Sequence, residues 1–113
     1  MNIQRYGKSK CFDTKKAERY FKERRVSDQF IDLPLHSMGK RELETIKNAV
    51  GGIDQLVDGK SKDEAALLFQ YLASDDEKAE KLLENPRIFR TPIVRNGRKA
   101  TVGYCPEVWK SWE

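Results

Sequence analysis

The run Asn2-Ile3-Gln4-Arg5-Tyr6-Gly7-Lys8-Ser9-Lys10-Cys11-Phe12-Asp13-Thr14-Lys15-Lys16-Ala17 changes its period once, and that change decides the fold. Asn2 to Tyr6 reads as a short strand that ends at Gly7. From Thr14 the period becomes helical: Ala17, Tyr20 and Phe21 fall on one face, while Lys15, Lys16, Glu18, Lys22 and Glu23 cover the other. Asp13 or Thr14 can cap the first amides. Val26 to Leu33, containing Phe30-Ile31 and closed by Pro34, reads as a second strand. Strand, helix and strand in that order form a β-α-β unit with a right-handed crossover and parallel strands.

Outward from this unit the chain turns helical and charged. Leu43, Ile46 and Val50 mark one buried face, stopped by Gly51-Gly52. Ser61-Lys62-Asp63-Glu64 and Ser74-Asp75-Asp76-Glu77 each have the form of a capping box, the first leading to Leu67, Leu68 and Leu72, the second to Ala79, Leu82 and Leu83. Asn85-Pro86 closes the last helix. Period two returns in Pro92-Ile93-Val94 and Ala100-Thr101-Val102 around Asn96-Gly97, a hairpin signal. Pro106 suits the first turn of a terminal helix with Val108, Trp109 and Trp112. The expectation is an α/β chain with a thioredoxin-like four-stranded mixed sheet, built β-α-β then β-β-α. A helical subdomain is inserted at about 38–86, and residues 1–113 form one domain.

Composition narrows the function classes. A chain of 113 residues buries one core. Only Cys11 and Cys105 are cysteines, too few for a disulfide framework, so a reducing, cytoplasmic location is expected, with no membrane partner and no export leader. The net charge of +4 comes from 22 basic and 18 acidic residues that are interspersed, which predicts no direct nucleic-acid partner. The lone His36 lacks ligand spacing, so no metal is expected. Gly7-Lys8-Ser9 has the form of the end of a phosphate-binding loop, but the first glycine of that motif is absent, and no nucleotide site is expected.

Three anchors carry a family resemblance. Cys11-Phe12-Asp13-Thr14-Lys15-Lys16-Ala17 resembles the Cys-x-x-Cys/Ser-(Lys/Arg)-Lys-Ala element of the arsenate-reductase-like (ArsC/Spx) family. Arg90-Thr91-Pro92-Ile93-Val94 resembles its Arg-Pro-Ile strand, and Val102-Gly103-Tyr104 is similar to the Val-Gly-Tyr of Spx-like members. Asp58-Gly59-Lys60-Ser61-Lys62 is similar to the family's Thr-Arg-Ser-Lys loop. The resemblance implies a nucleophilic Cys11, with Lys15, Lys60, Arg90, Thr91, Pro92 and Tyr104 around the substrate. It implies that Pro92 is cis, with no bound cofactor and glutathione as co-substrate.

Departures from the family pattern shape the expected activity. Thr14 stands where redox-switch members carry a second cysteine, so no local disulfide forms. Lys60, Thr91 and Tyr104 occupy the positions of the three oxyanion arginines. Arg90 is one residue from its expected place, a shift that in a strand turns the side chain to the opposite face. The resemblance therefore implies a thiol oxidoreductase with a degenerate oxyanion site, coupled to glutathione or glutaredoxin. Its alternative is a noncatalytic Spx-like regulator that binds RNA polymerase, to which Gly52 corresponds in the partner-contacting segment. Cys11, ahead of a helix and near Lys8, Lys10 and Lys15, is expected to have a lowered pKa. Cys105 is a candidate resolving thiol, set against an inert cysteine at a strand end.

Overall fold

The structure is a computed structural model that describes residues 2–113. Strand β1 (Ile3–Gly7) runs into helix α1 (Phe12–Glu23) and strand β2 (Asp28–Asp32). The insert follows with α2 (Lys40–Val50), a 3-10 turn (Ile53–Leu56), α3 (Glu64–Phe69), α4 (Asp75–Glu84) and a second 3-10 turn (Pro86–Ile88). Strands β3 (Ile93–Asn96) and β4 (Lys99–Val102) and helix α5 (Pro106–Lys110) complete the chain. The four strands form one mixed sheet in the order β2-β1-β3-β4. β1 pairs parallel with β2 and antiparallel with β3, and β3 pairs antiparallel with β4, so the expected thioredoxin-like architecture is found.

Strand alternation divides the apolar residues between two cores. Ile3 and Val94 face α1 and α5, where they join Ala17, Tyr20, Phe21 and Trp109. The indole Nε1 of Trp109 donates to Thr101 Oγ1 at 2.8 Å, which satisfies its polar atom inside that core. Tyr6 and Ile93 face the insert and meet Leu43, Ile46, Leu56 and Phe89.

Several boundaries differ from the sequence expectation, each for a local reason. α1 starts at Phe12, with Cys11 in the cap position, so Asp13 and Thr14 lie inside the first turn and do not cap it. β2 starts at Asp28, not Val26, because Arg25 takes a positive φ of 59° and the Val26 amide donates back to Phe21 O, closing the helix. Asp63, not Ser61, caps α3: its carboxylate accepts from the Ala65 amide at 2.9 Å, while Ser61 Oγ accepts from the Asp63 amide. α3 then buries Phe69 and leaves Leu67 and Leu68 at the surface. Ser74 caps α4 as its motif predicts. In α5 Trp109 is buried and Val108 exposed.

One close approach fixes the start of α1 to the end of β1. A Cβ on Gly7 would lie 2.4 Å from Thr14 Cγ2 and 2.8 Å from Thr14 Oγ1. Thr14 is itself buried, so neither backbone nor side chain has free space to yield. Gly7→Ala is expected to destabilise the protein by about 1–3 kcal/mol, the range for overpacking. A lowered urea midpoint at unchanged slope would show this, and Thr14→Ser in the Gly7→Ala background, which removes Cγ2, should recover part of the loss.

Candidate active site

Cys11 occupies the cap of α1 in extended conformation, with φ −88° and ψ 120°. Its amide donates to Lys8 O at 3.1 Å and its carbonyl accepts from the Lys15 amide at 3.2 Å, so a tight turn delivers the residue to the head of the helix. The half-buried thiol donates to Thr91 O at 3.6 Å, across 80 residues of chain. Burial raises the thiol pKa, but the hydroxyls of Thr14 and Thr91 and the amides of Thr14 and Asp13 bond the sulfur and leave it below the ordinary value. Thr14, at the family's second-cysteine position, thus contributes to the lowered pKa of the Cys11 thiol.

The thiol opens into a cavity of about 680 Å³. Cys11, Phe12 and Asp13 form one wall. The other is built from Asp54 and Asp58 to Lys60 of the insert, and Arg90-Thr91 close the end. The loop is held to the sheet by backbone bonds: Asp58 N donates to Ile88 O at 2.8 Å and Arg90 N to Leu56 O at 2.8 Å. Asp58 Oδ1 also accepts from the Lys60 amide at 3.0 Å, which shapes the turn that presents Lys60. Lys8 lies behind the site. Its Nζ donates to Phe89 O at 2.7 Å, and burial lowers its pKa against the pull of nearby Asp58 and Cys11.

Arg90 lines this cavity, while its guanidinium lies against Gly103, which is not part of the lining. The alternation rule does not apply, because β3 begins only at Ile93 and Arg90 lies in the irregular segment before it. A Cβ on Gly103 would meet Arg90 Nη2 at 3.1 Å, so the glycine, at φ 87°, leaves the guanidinium its place. The cavity lining therefore holds the cations Lys60 and Arg90 against the carboxylates Asp13, Asp54 and Asp58. Asp54 is neutralised in part by Lys78 at 2.7 Å.

Comparison with known proteins places this geometry. The ArsC family profile matches residues 6–112. The chain belongs to the ArsC family. It is 29% identical over 109 residues to the global transcriptional regulator Spx 2 of Oceanobacillus iheyensis, covering 92% of this chain and 78% of that one. The arsenate reductase from Vibrio cholerae superposes with a TM-score of 0.85 at 21% identity, over 98% of this chain and 97% of that one, and shares the fold. A Staphylococcus aureus protein solved in solution matches at a TM-score of 0.81 and 29% identity, over 96% of each chain.

Among the ArsC-family positions, Cys11, Lys60, Arg90 and Thr91 are brought together. The Thr91-Pro92 bond is cis, and Pro92 is buried behind Thr91 without lining the cavity. Tyr104 is outside it: its ring packs edge-on against Trp109 at 5.5 Å and lies 5.6 Å from Lys16 Nζ. Lys15 is also outside, one turn below the cap, in a second cavity beside Arg5. Cys105 does not line the site; its thiol bonds Val102 O at 3.5 Å. Burial raises its pKa, with Asp13 adding to this and Arg90 and Thr101 opposing it. The sequence reading missed Phe12, 81% exposed on the cavity wall, and the three carboxylates. An apolar residue at the first helical position, next to the nucleophile, was the available signal for Phe12. Among the described residues no cluster of three or more acidic, His or Cys side chains is placed to hold a metal.

Alkylation rates followed against pH should place the Cys11 midpoint below that of Cys105. Thr14→Val keeps the side-chain shape, removes the hydroxyl donor, and should move the Cys11 midpoint upward while leaving Cys105 in place. After peroxide treatment, mass spectrometry should find Cys11 as a sulfenic acid, or as a glutathione adduct when glutathione is added, and Cys105 as a free thiol. An intramolecular disulfide in the monomer would instead establish a two-thiol cycle.

Proposed function

We propose that this protein is a one-cysteine thiol oxidoreductase acting on mixed disulfides, with glutathione or a glutaredoxin as the resolving thiol in a reducing cytoplasm. The observation that carries the reading is the Cys11 thiol, held at a helix cap below its ordinary pKa and open to a cavity of about 680 Å³. The Cys11 thiolate attacks the glutathione sulfur of a glutathione mixed disulfide, a Cys11–glutathione S–S bond forms, and the other sulfur leaves as a thiolate. A glutathione thiolate then attacks the Cys11 adduct, releasing glutathione disulfide and restoring the Cys11 thiolate. Lys8, near Cys11 and hydrogen-bonded to Phe89 O, supports the anionic form of the nucleophile. Thr14 leaves no second thiol to close a local disulfide, so resolution comes from outside.

The cavity's charge argues against an oxyanion substrate. Arg90 and Lys60 are the cations of the lining, but Thr91 and Tyr104 supply no charge, and three carboxylate residues line the same cavity. Each charge-assisted hydrogen bond lost is worth about 1.5–3 kcal/mol, or about ten- to a hundredfold in rate. Glutathione-coupled reduction of hydroxyethyl disulfide should therefore be robust, lost in Cys11→Ser and retained in Cys105→Ser. Arsenate turnover under the same conditions should be lower by orders of magnitude; robust Cys11-dependent arsenate reduction would overturn the assignment.

A second reading is favoured by the likeness to the Spx 2 regulator: a noncatalytic protein that docks on RNA polymerase. The resemblance puts Gly52, which follows α2 at φ 131°, in the partner-contacting segment. Absence of disulfide turnover together with retention of polymerase in a pull-down would select it.

A further inference from the structure

A second cavity, of about 440 Å³, lies where α1 meets β1 and β2, and it shares no lining residue with the Cys11 cavity. Arg5 of β1 lines it and is 4% exposed. Its Nε bonds Asp28 Oδ2 at 2.6 Å, and its guanidinium carbon lies 4.6 Å from the centre of the Phe30 ring. Glu18 approaches Nη2 only to 3.7 Å, and Nη1 is buried without any protein acceptor. A buried guanidinium N–H without an acceptor is costly, so the group is held with part of its hydrogen-bonding capacity unmet. Lys8, Lys15, Arg19 and Lys22 also line the space, and Glu18 is the one carboxylate among the described lining residues. Lys8 is engaged with Phe89 O, whereas Lys15, Arg19 and Lys22 are exposed on α1.

Lysines along a helix are ordinarily a solvated face. Here they border a concavity with a buried arginine and an aromatic ring in its lining. Its volume falls in the range of small-ligand sites. Guanidinium and ammonium groups converging on one space match the oxygens of a phosphate, arginine binding them in a fixed fork and lysine as a point charge.

We infer that this cavity binds the phosphate group of a small organic phosphate, with Arg5 beneath it and Lys15, Arg19 and Lys22 over its oxygens. Phe30, 42% exposed, gives the organic part an apolar surface. The two cavities share no lining residue, but Lys8 and Thr14, which border this one, also act on the Cys11 sulfur, so the test substitutes neither of them.

Titration with phenyl phosphate and, separately, inorganic phosphate, followed by amide chemical shifts, tests it. Phenyl phosphate should saturate shifts at Arg5, Ser9, Lys15 and Phe30, leave Asp58 and Lys60 still, and bind several-fold more tightly than inorganic phosphate. Arg19→Glu with Lys22→Glu, both exposed, should weaken binding by about tenfold or more at unchanged Cys11 alkylation rate. Equal affinity for the two probes would overturn the organic part of the assignment. The phosphate site itself falls if neither probe gives saturable shifts, if the shifts appear at Asp58–Lys60, or if charge reversal has no effect. Shifts at these same amides with polyglutamate but with neither phosphate would replace it with a docking surface for an acidic polypeptide.

Discussion

The short antiparallel bridge between Val57 and Phe89 is the constraint on which the site depends. It is closed on either side by the Asp58 to Ile88 and Arg90 to Leu56 backbone bonds, and Leu56, Ile88 and Phe89 are fully buried around it. A buried backbone group must be paired, so this segment cannot drift without losing both its hydrogen bonds and its apolar contacts. The bridge ties the insert to the chain just ahead of β3. Lys60 and Asp58 are thereby set opposite Cys11, and Phe89 O is set to receive Lys8. The insert is thus one wall of the Cys11 cavity as well as a cover for the sheet.

Two cavities next to one helix differ in charge for a reason visible in the chain. The first takes its far wall from the insert loop, where Asp54 and Asp58 shape a 3-10 turn and an Asx turn. The second takes its walls from α1 and the parallel pair, where lysines and arginines fill the polar face of an amphipathic helix. A net charge of +4 describes neither. Local charge at a concave surface, and not the sum over the chain, decides what each can hold.

Period and punctuation made the element order legible. The change after Gly7, the Gly51-Gly52 stop, the Asn96-Gly97 turn and Pro106 all fall where the structure bends. Single-residue details were less legible because they depend on competition between neighbours. Asp63 displaces Ser61 as a cap since a carboxylate accepts more strongly than a hydroxyl and is also held by Arg87. Cys11, Lys60 and Thr91 could be placed from motifs, because Cys11 heads α1 and the other two flank the Val57–Phe89 bridge that the fold fixes. Tyr104 and Arg90 could not: the ring's choice of Trp109 and the arginine's place beside Gly103 are tertiary contacts in segments without a regular period.

The register of the sheet has a consequence for the order of events during synthesis. β1 pairs Ile3 with Asn96 and Tyr6 with Ile93, so its antiparallel neighbour leaves the ribosome long after the parallel β-α-β unit is available to form. Thr91, whose hydroxyl helps to lower the Cys11 pKa, arrives in that same late segment. A half-folded chain therefore carries Cys11 without one of the groups that hold its pKa down. The surroundings of the Cys11 sulfur are thus completed by the C-terminal hairpin and not by the β-α-β unit that carries it.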